Sequence, residues 1–269
     1  MKYVGGKHGI GKKIAFFLSN KCSSDKVDGY LEPFCGSLGV FKNMTDKNYK
    51  IYIGADKQSD LIDMWKKLQT NNLHIPTNIS ENEYNRLKNA KSPDAMKAVA
   101  GFGLSFGGKF FAGYSQKWAG NSGRNFLNEF KNSIEKIKPT IQKKNVKFYN
   151  KSYNDFNPHN MLIYCDPPYK STQGYSTGDF DTNLFWDTMR KWSKNNCVFI
   201  SEESAPSDFE VVFKISKRRT LDKKSRFYKD EKIFAYKPSQ FIKKKTTKNK
   251  PVKNKTVKNL NKTVKKQKT

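Results

Sequence analysis

Apolar positions fall into two rhythms along this 269-residue chain. Short, mostly apolar runs occupy residues 30–32, 51–55, 146–149, 161–165 and 197–201. Runs of that length, bounded by turn residues, fit strands buried on both faces. Between them the apolar residues recur at helical spacing. Leu61, Ile62, Trp65 and Leu68 form one stripe, and Phe126, Phe130, Ile134 and Ile137 form another, stopped by Pro139. Residues 180–192 behave likewise. Alternation of strand and helix predicts an α/β fold with a mostly parallel sheet covered on both faces. Residues 210–214 and 232–236 read as two closing strands, a hairpin at the sheet's end.

One stretch departs from this rhythm. Residues 71–141 separate the second strand from the third, far more chain than a single crossover helix needs. Helical patterns at 81–90 and 93–99 give way to a run from Gly101 to Tyr114 crowded with glycines and aromatic rings. That run reads as an exposed, sharply bent loop. The division that follows is a catalytic domain over 1–70 and 142–240, an inserted subdomain over 71–141, and a tail over 241–269.

Charge sharpens the picture. The formal net charge is +28, from 52 Lys and Arg against 24 Asp and Glu. The basic residues comprise 46 Lys and only 6 Arg, beside 25 Asn, a bias that an A+T-rich genome imposes by itself. Residues 243–269 contribute 12 Lys with no acid and no aromatic. Such a segment cannot offset its ordering entropy, so a disordered basic tail is expected. Without it the remainder still carries +16 (28 − 12), enough to attract a phosphate backbone.

Several classes are set aside. Four scattered cysteines and three isolated histidines lack metal-ligand spacing, so no metal site is expected and the thiols are expected to be reduced. No run of eighteen apolar residues occurs, so no spanning helix is expected. The N-terminal residues are rich in glycine and lysine, unlike a secretory signal, so an intracellular protein without membrane contact is expected, cytoplasmic by default, with the basic tail leaving a nuclear location as the alternative.

Three positions carry chemistry. After the first strand comes Leu31-Glu32-Pro33-Phe34-Cys35-Gly36-Ser37, where small residues let a cofactor approach the backbone. Asp56 ends the second strand about twenty residues later, where a carboxylate can accept ribose hydroxyls. The third is Asp166-Pro167-Pro168-Tyr169, leaving a buried strand. A carboxylate, a carbonyl on a proline-stiffened turn and an aromatic ring together suit a planar amine.

With Tyr3-Val4-Gly5-Gly6-Lys7 at the start, these motifs stand in the order of the Dam-like (D12 class) DNA adenine-N6 methyltransferases, which the chain resembles over residues 1 to about 238. The resemblance implies a Rossmann-like class I methyltransferase sheet and S-adenosylmethionine as methyl donor. It implies that Tyr3, Lys7, Glu32, Phe34, Gly36, Asp56 and Asp166 bind the donor. Asp166, Pro167 and Tyr169 would hold the target amine and stack on a base turned out of double-stranded DNA. The insertion would then be the target-recognition part. Lys109, Phe110, Phe111, Tyr114, Lys117 and Arg124 are its candidate DNA contacts, though the same rings could equally form a small hydrophobic cluster. A monomer is expected, with a separate cognate restriction endonuclease as a conceivable partner.

Two departures stand out. Leu38 occupies the place where the family usually has a second glycine, with Gly39 following. Residues 114–125 do not match the segment of the enzymes that read GATC, so that specificity is not carried over. The alternatives are an RNA adenine or protein glutamine N-methyltransferase, which prefer Asn where Asp166 stands, and a non-catalytic DNA-binding protein on the same scaffold.

Overall fold

The computed structural model describes residues 1–116, 123–168, 180–218 and 228–239. Tyr169, Lys117 and the tail at 241–269 lie outside the described residues. The elements in chain order are α1 (Gly11–Lys21), β1 (Gly29–Glu32), β2 (Ile51–Asp56), α2 (Ser59–Gln69), α3 (Glu81–Asn89), α4 (Ala95–Gly103), α5 (Phe126–Glu135), α6 (Lys138–Ile141), β3 (Val146–Asn150), β4 (Met161–Cys165), α7 (Thr182–Trp192), β5 (Cys197–Glu202), β6 (Phe209–Arg218) and β7 (Tyr228–Tyr236).

Among the described residues the strands form one seven-stranded sheet in the order β3-β2-β1-β4-β5-β7-β6. The pairs β1–β2, β1–β4, β2–β3 and β4–β5 are parallel. β7 runs antiparallel between β5 and β6. This is a doubly wound order, and the direction of winding switches between the parallel neighbours β1 and β4, where such sheets open a crevice for ligands outside the strands' carboxyl ends.

Side chains divide between the two faces with the period of a strand. On β4, Leu162 and Tyr164 enter one cluster with α1, α2 and the inserted helices, while Ile163 and Cys165 enter the other with α7. β5 repeats this, with Cys197 and Phe199 on one side and Val198 and Ile200 on the other. Gly29 is required where β1 passes between its neighbours. A Cβ there would meet the Met161 methyl at 2.6 Å and Ile51 at 2.7 Å.

Among the described residues the insertion packs into the main core. Tyr84, Leu87, Val99, Phe130 and Ile134 join the same buried cluster as Leu61 and Trp65 of α2. α2 also caps α4: the Asp60 carboxylate accepts from Asp94 N at 2.9 Å and the Asp63 carboxylate from Ala95 N at 2.8 Å. Carboxylates at a helix N-terminus satisfy orphan N–H groups and complement its dipole.

Two expectations are corrected. The run from Gly101 to Tyr114 is an exposed bent loop only in part, at Phe106, Gly107, Lys109, Ala112 and Gly113. α4 continues through Gly103, and Phe102, Leu104, Phe111 and Tyr114 are buried. The glycines make room for rings: a Cβ on Gly101 would lie 2.4 Å from Phe110, and one on Gly103 2.8 Å from Phe130. Nor are all four thiols free. Cys22, just after α1, is disulfide-bonded to Cys197 at the start of β5, across 175 residues of sequence, whereas Cys35 and Cys165 are buried free thiols. Spacing along the chain could not show that pair, because only the sheet brings the two together.

Candidate active site

The carboxyl ends of β1, β2 and β4 open into a cavity of about 590 Å³. Each strand delivers one acid to it: Glu32, Asp56 and Asp166. The N-terminal segment, the turn after β1 and the inserted Gly108–Phe110 stretch complete the wall.

The N-terminal segment is held there by close backbone approach. Gly6 N donates to Tyr3 O at 3.0 Å, and Gly5 takes a positive φ of 76°. A Cβ on Gly39 would stand 2.9 Å from Lys7 N, so the turn after β1 and the segment lie backbone to backbone. The Tyr3 ring covers Gly36 and packs on Phe102, with ring centroids 5.1 Å apart. Gly108 in turn lies against Lys2, where a Cβ would come 2.5 Å from the Lys2 carbonyl carbon.

Leu38 pays for its place in the same turn. It is fully buried and adopts φ 59°, the left-handed region that glycine enters without strain. The turn therefore keeps a left-handed residue two places after Gly36, with a leucine that anchors it in the core.

Electrostatically the cavity is acidic around one buried cation. Lys7 is 4% exposed and its Nζ donates to Asp166 Oδ1 at 2.8 Å and to Gly5 O at 3.2 Å. The Glu231 carboxylate from β7 lies 3.2 Å from the same nitrogen. Burial opposes the Lys7 charge, but Asp166 and Glu231 outweigh it and hold its pKa above the ordinary lysine value. Glu32 is buried and accepts from the Tyr30 hydroxyl at 2.6 Å. Burial pushes its carboxyl well above the usual range against that hydrogen bond, and the Asp166 charge adds to the rise. Asp56 accepts from Gly36 N and from Gln58 N, each at 3.0 Å. Burial raises its pKa against these backbone donors. Asp56 thus pins the turn after β1 and keeps acceptor capacity for a ligand hydroxyl.

The opposite wall is aromatic. Phe34 packs on Tyr153 at 5.4 Å, Phe180 at 6.1 Å and Phe185 at 6.0 Å between ring centroids. Tyr153 sits in a one-turn 3-10 helix after β3, closed by a reciprocal pair of bonds between Ser152 and Asp155. Carboxylates on one side and ring faces on the other suit a ligand that is both cationic and flat.

Of the residues singled out in the sequence, Tyr3, Lys7, Glu32, Phe34, Gly36 and Asp56 line this cavity together with Asp166 and Pro167. Lys109 and Phe110 line it as well, on the insertion side. Phe111 and Tyr114 do not. Phe111 stands edge-on to Tyr84, and the Tyr114 hydroxyl donates to Ile79 O at 2.6 Å. Their rings form the hydrophobic cluster that was the alternative reading. Arg124 is on the surface, its fork engaged by the Glu129 carboxylate at 2.9 Å through two nitrogens. Among the described rings of the insertion the exposed one is Phe106, at 72%, followed by Gly107 and Gly108 at positive φ. The motifs did not announce Glu231, Ser201 or Tyr153. A serine three residues before an aspartate at 152 was the one local signal.

The model of the D12 class N6 adenine-specific DNA methyltransferases matches residues 3–95 and 112–249. The chain belongs to this family. The family match brackets the N-terminal segment, all three strand-end acids and the Asp166 turn. A curated relative, the type II methyltransferase M.FokI of Planomicrobium okeanokoites, is 27% identical over 207 residues. Those residues are 66% of this chain and 30% of M.FokI, so this D12 chain spans about a third of that relative's length. Among solved structures, PH1948 of Pyrococcus horikoshii aligns over 85% of this chain and 84% of its own, at 9% identity and a TM-score of 0.37. The yhhF protein of Escherichia coli aligns over 83% and 84%, at 10% identity and a TM-score of 0.32.

Proposed function

We propose that this protein transfers a methyl group from S-adenosylmethionine to N6 of an adenine turned out of duplex DNA. Family membership supports the reaction class, and the Lys7–Asp166 pair at the mouth of β4 is the observation that carries the mechanism. The residues fit the donor. Asp56 has acceptor capacity for ribose hydroxyls, Asp166 sets a carboxylate beside the ligand space, and the Phe34–Tyr153 wall offers faces to a purine. The cavity volume lies within the range of sites for ligands of that size. The donor supplies a methyl already activated on a sulfonium, so the protein's task is to prepare the nucleophile.

The adenine N6 lone pair is delocalised into its ring. Asp166 accepts one N–H of that amine and the Pro167 carbonyl accepts the other, which tilts the nitrogen toward tetrahedral geometry and aims its lone pair. Lys7 keeps the Asp166 carboxylate fixed while this happens. The N–C bond forms as the donor's S–C bond breaks and S-adenosylhomocysteine leaves; the methylated nitrogen is then acidic and releases its extra proton to water, so positioning and preset charge supply the rate enhancement without a dedicated base. The amine inside a duplex is out of reach, so the base is extruded, and Tyr169 replaces its lost stacking at about 1–3 kcal/mol. The basic surface supplies affinity for the backbone.

The test is transfer of labelled methyl from S-adenosylmethionine to duplex DNA, RNA and protein in parallel, followed by nucleoside analysis. Label recovered as N6-methyladenine in DNA is expected. Label in RNA or protein alone overturns the reading.

A further inference from the structure

We propose that Glu231 is a positioning residue for methyl transfer, fixing the Lys7 ammonium so that the Asp166 carboxylate is held in one orientation. This rests on the function proposed above and extends it to a strand that the motifs do not include. β7 lies antiparallel beside β5 with Ile233 opposite Ser201, which leaves Glu231, two residues along the same face, within diagonal reach of Ser201. The Ser201 hydroxyl donates to Glu231 Oε1 at 2.6 Å, and the same oxygen lies 3.2 Å from Lys7 Nζ. A lysine ammonium has three hydrogens. Here three acceptors match them: Gly5 O, Asp166 Oδ1 and Glu231 Oε1. The N-terminal segment, β4 and β7 therefore each hold one leg of a tripod, and the nitrogen at its apex is out of water.

Removal of one leg leaves a buried N–H without its acceptor and lets the ammonium swing. The leg that then drifts is the one on Asp166, and small displacements at a reacting centre cost rate far more than binding. Glu231 touches neither donor nor base in this account. It acts through Lys7.

Steady-state kinetics on the full chain with S-adenosylmethionine and duplex DNA tests this, using Glu231→Ala, Glu231→Gln, Ser201→Ala, Lys7→Met and the Lys7→Met/Glu231→Ala double variant. Glu231→Ala is expected to lower kcat about tenfold or more, with the KM for DNA and the Kd for S-adenosylhomocysteine within about threefold of wild type. Glu231→Gln, whose amide oxygen still accepts from both partners, restores most of kcat. Ser201→Ala, which unties Glu231 from its other side, lowers kcat about threefold and covers the case in which Glu231→Ala does not fold. The double variant falls no further than Lys7→Met. A wild-type kcat in Glu231→Ala or in Ser201→Ala overturns the proposal, as does a loss confined to KM or a multiplicative loss in the double variant. A wild-type enzyme that fails to methylate DNA sinks the underlying function instead, which the same series reveals in its first lane.

Discussion

Lys7 and Asp166 are 159 residues apart in the chain, and their side chains meet at 2.8 Å over the end of β4. The lysine comes from a segment without regular secondary structure, and the aspartate from the most completely buried region of the sheet. The fold joins them because the Gly5–Gly6 turn lies directly on the turn after β1. The acid assigned to the target amine is thus oriented by the opposite end of the chain.

Asp166→Asn tests the acid's part. The amide keeps the shape and one acceptor but loses the charge, so kcat is expected to fall at least about 10²-fold. DNA retention in a filter assay should stay near wild type, since phosphate contacts supply nonspecific affinity. Equal losses in both assays would remove Asp166 from the chemistry.

Phe106→Ala tests the exposed ring. Phe106 buries nothing in the core, so thermal stability should stay within about 0.5 kcal/mol of wild type. Binding to duplex DNA should weaken by about 1–3 kcal/mol, the scale of one aromatic contact with a base. Cofactor affinity unchanged and DNA affinity reduced is the expected pattern in titrations of each ligand. An unaltered DNA titration would assign the ring no role.

Gly101→Ala links packing to the cavity. The new methyl would stand 2.4 Å from Phe110, a cavity-lining ring, so Phe110 must shift. Overpacking of this kind costs about 1–3 kcal/mol of stability. S-adenosylhomocysteine affinity should drop alongside, measured by calorimetry. Lost stability with unaltered affinity would show that the ring moves away from the ligand.

Glu202, at the end of β5, sets a pH dependence. Burial raises its carboxyl from 4.5 to about 7, with its own backbone neighbour Glu203 opposing through a hydrogen bond. The folded state therefore holds this proton where the unfolded state has released it. Stability contributed by the group is lost as pH rises from 4.5 to about 7, and the penalty is complete above that. Discounted for partial exposure, it amounts to about 1–3 kcal/mol. Glu202→Gln should melt higher than wild type at pH 8 and match it at pH 4. Parallel melting curves across that range would refute the assignment.

The disulfide gives a count. Alkylation under denaturing, non-reducing conditions should label Cys35 and Cys165 and spare Cys22 and Cys197. Reduction should label all four and lower stability by about 2–4 kcal/mol. Four labelled thiols before reduction would show that the bond does not form in solution.

The strands were legible because a buried parallel strand is a bare apolar run, and β4, with every residue buried, is the plainest of them. The strand-end acids were legible because each follows such a run directly. The buried half of the glycine-aromatic stretch was misread for a definite reason. Gly101 and Gly103 look like turn formers, yet they serve as sockets for Phe110 and Phe130, a role that depends on rings far along the chain. Glu231 was invisible for a related reason. A glutamate in an edge hairpin reads as solvated until β7 is threaded between β5 and β6.

The placement of Tyr3 has a further consequence. One ring rests on Gly36, beneath the donor's side of the cavity, and on Phe102, whose helix leads to the stretch ending at Phe110. On the function proposed above, donor and nucleic acid would press on a common wedge. Whatever factor one ligand contributes to the affinity of the other must be returned in equal measure, by thermodynamic reciprocity, and the order in which the two are loaded is a matter of rate alone.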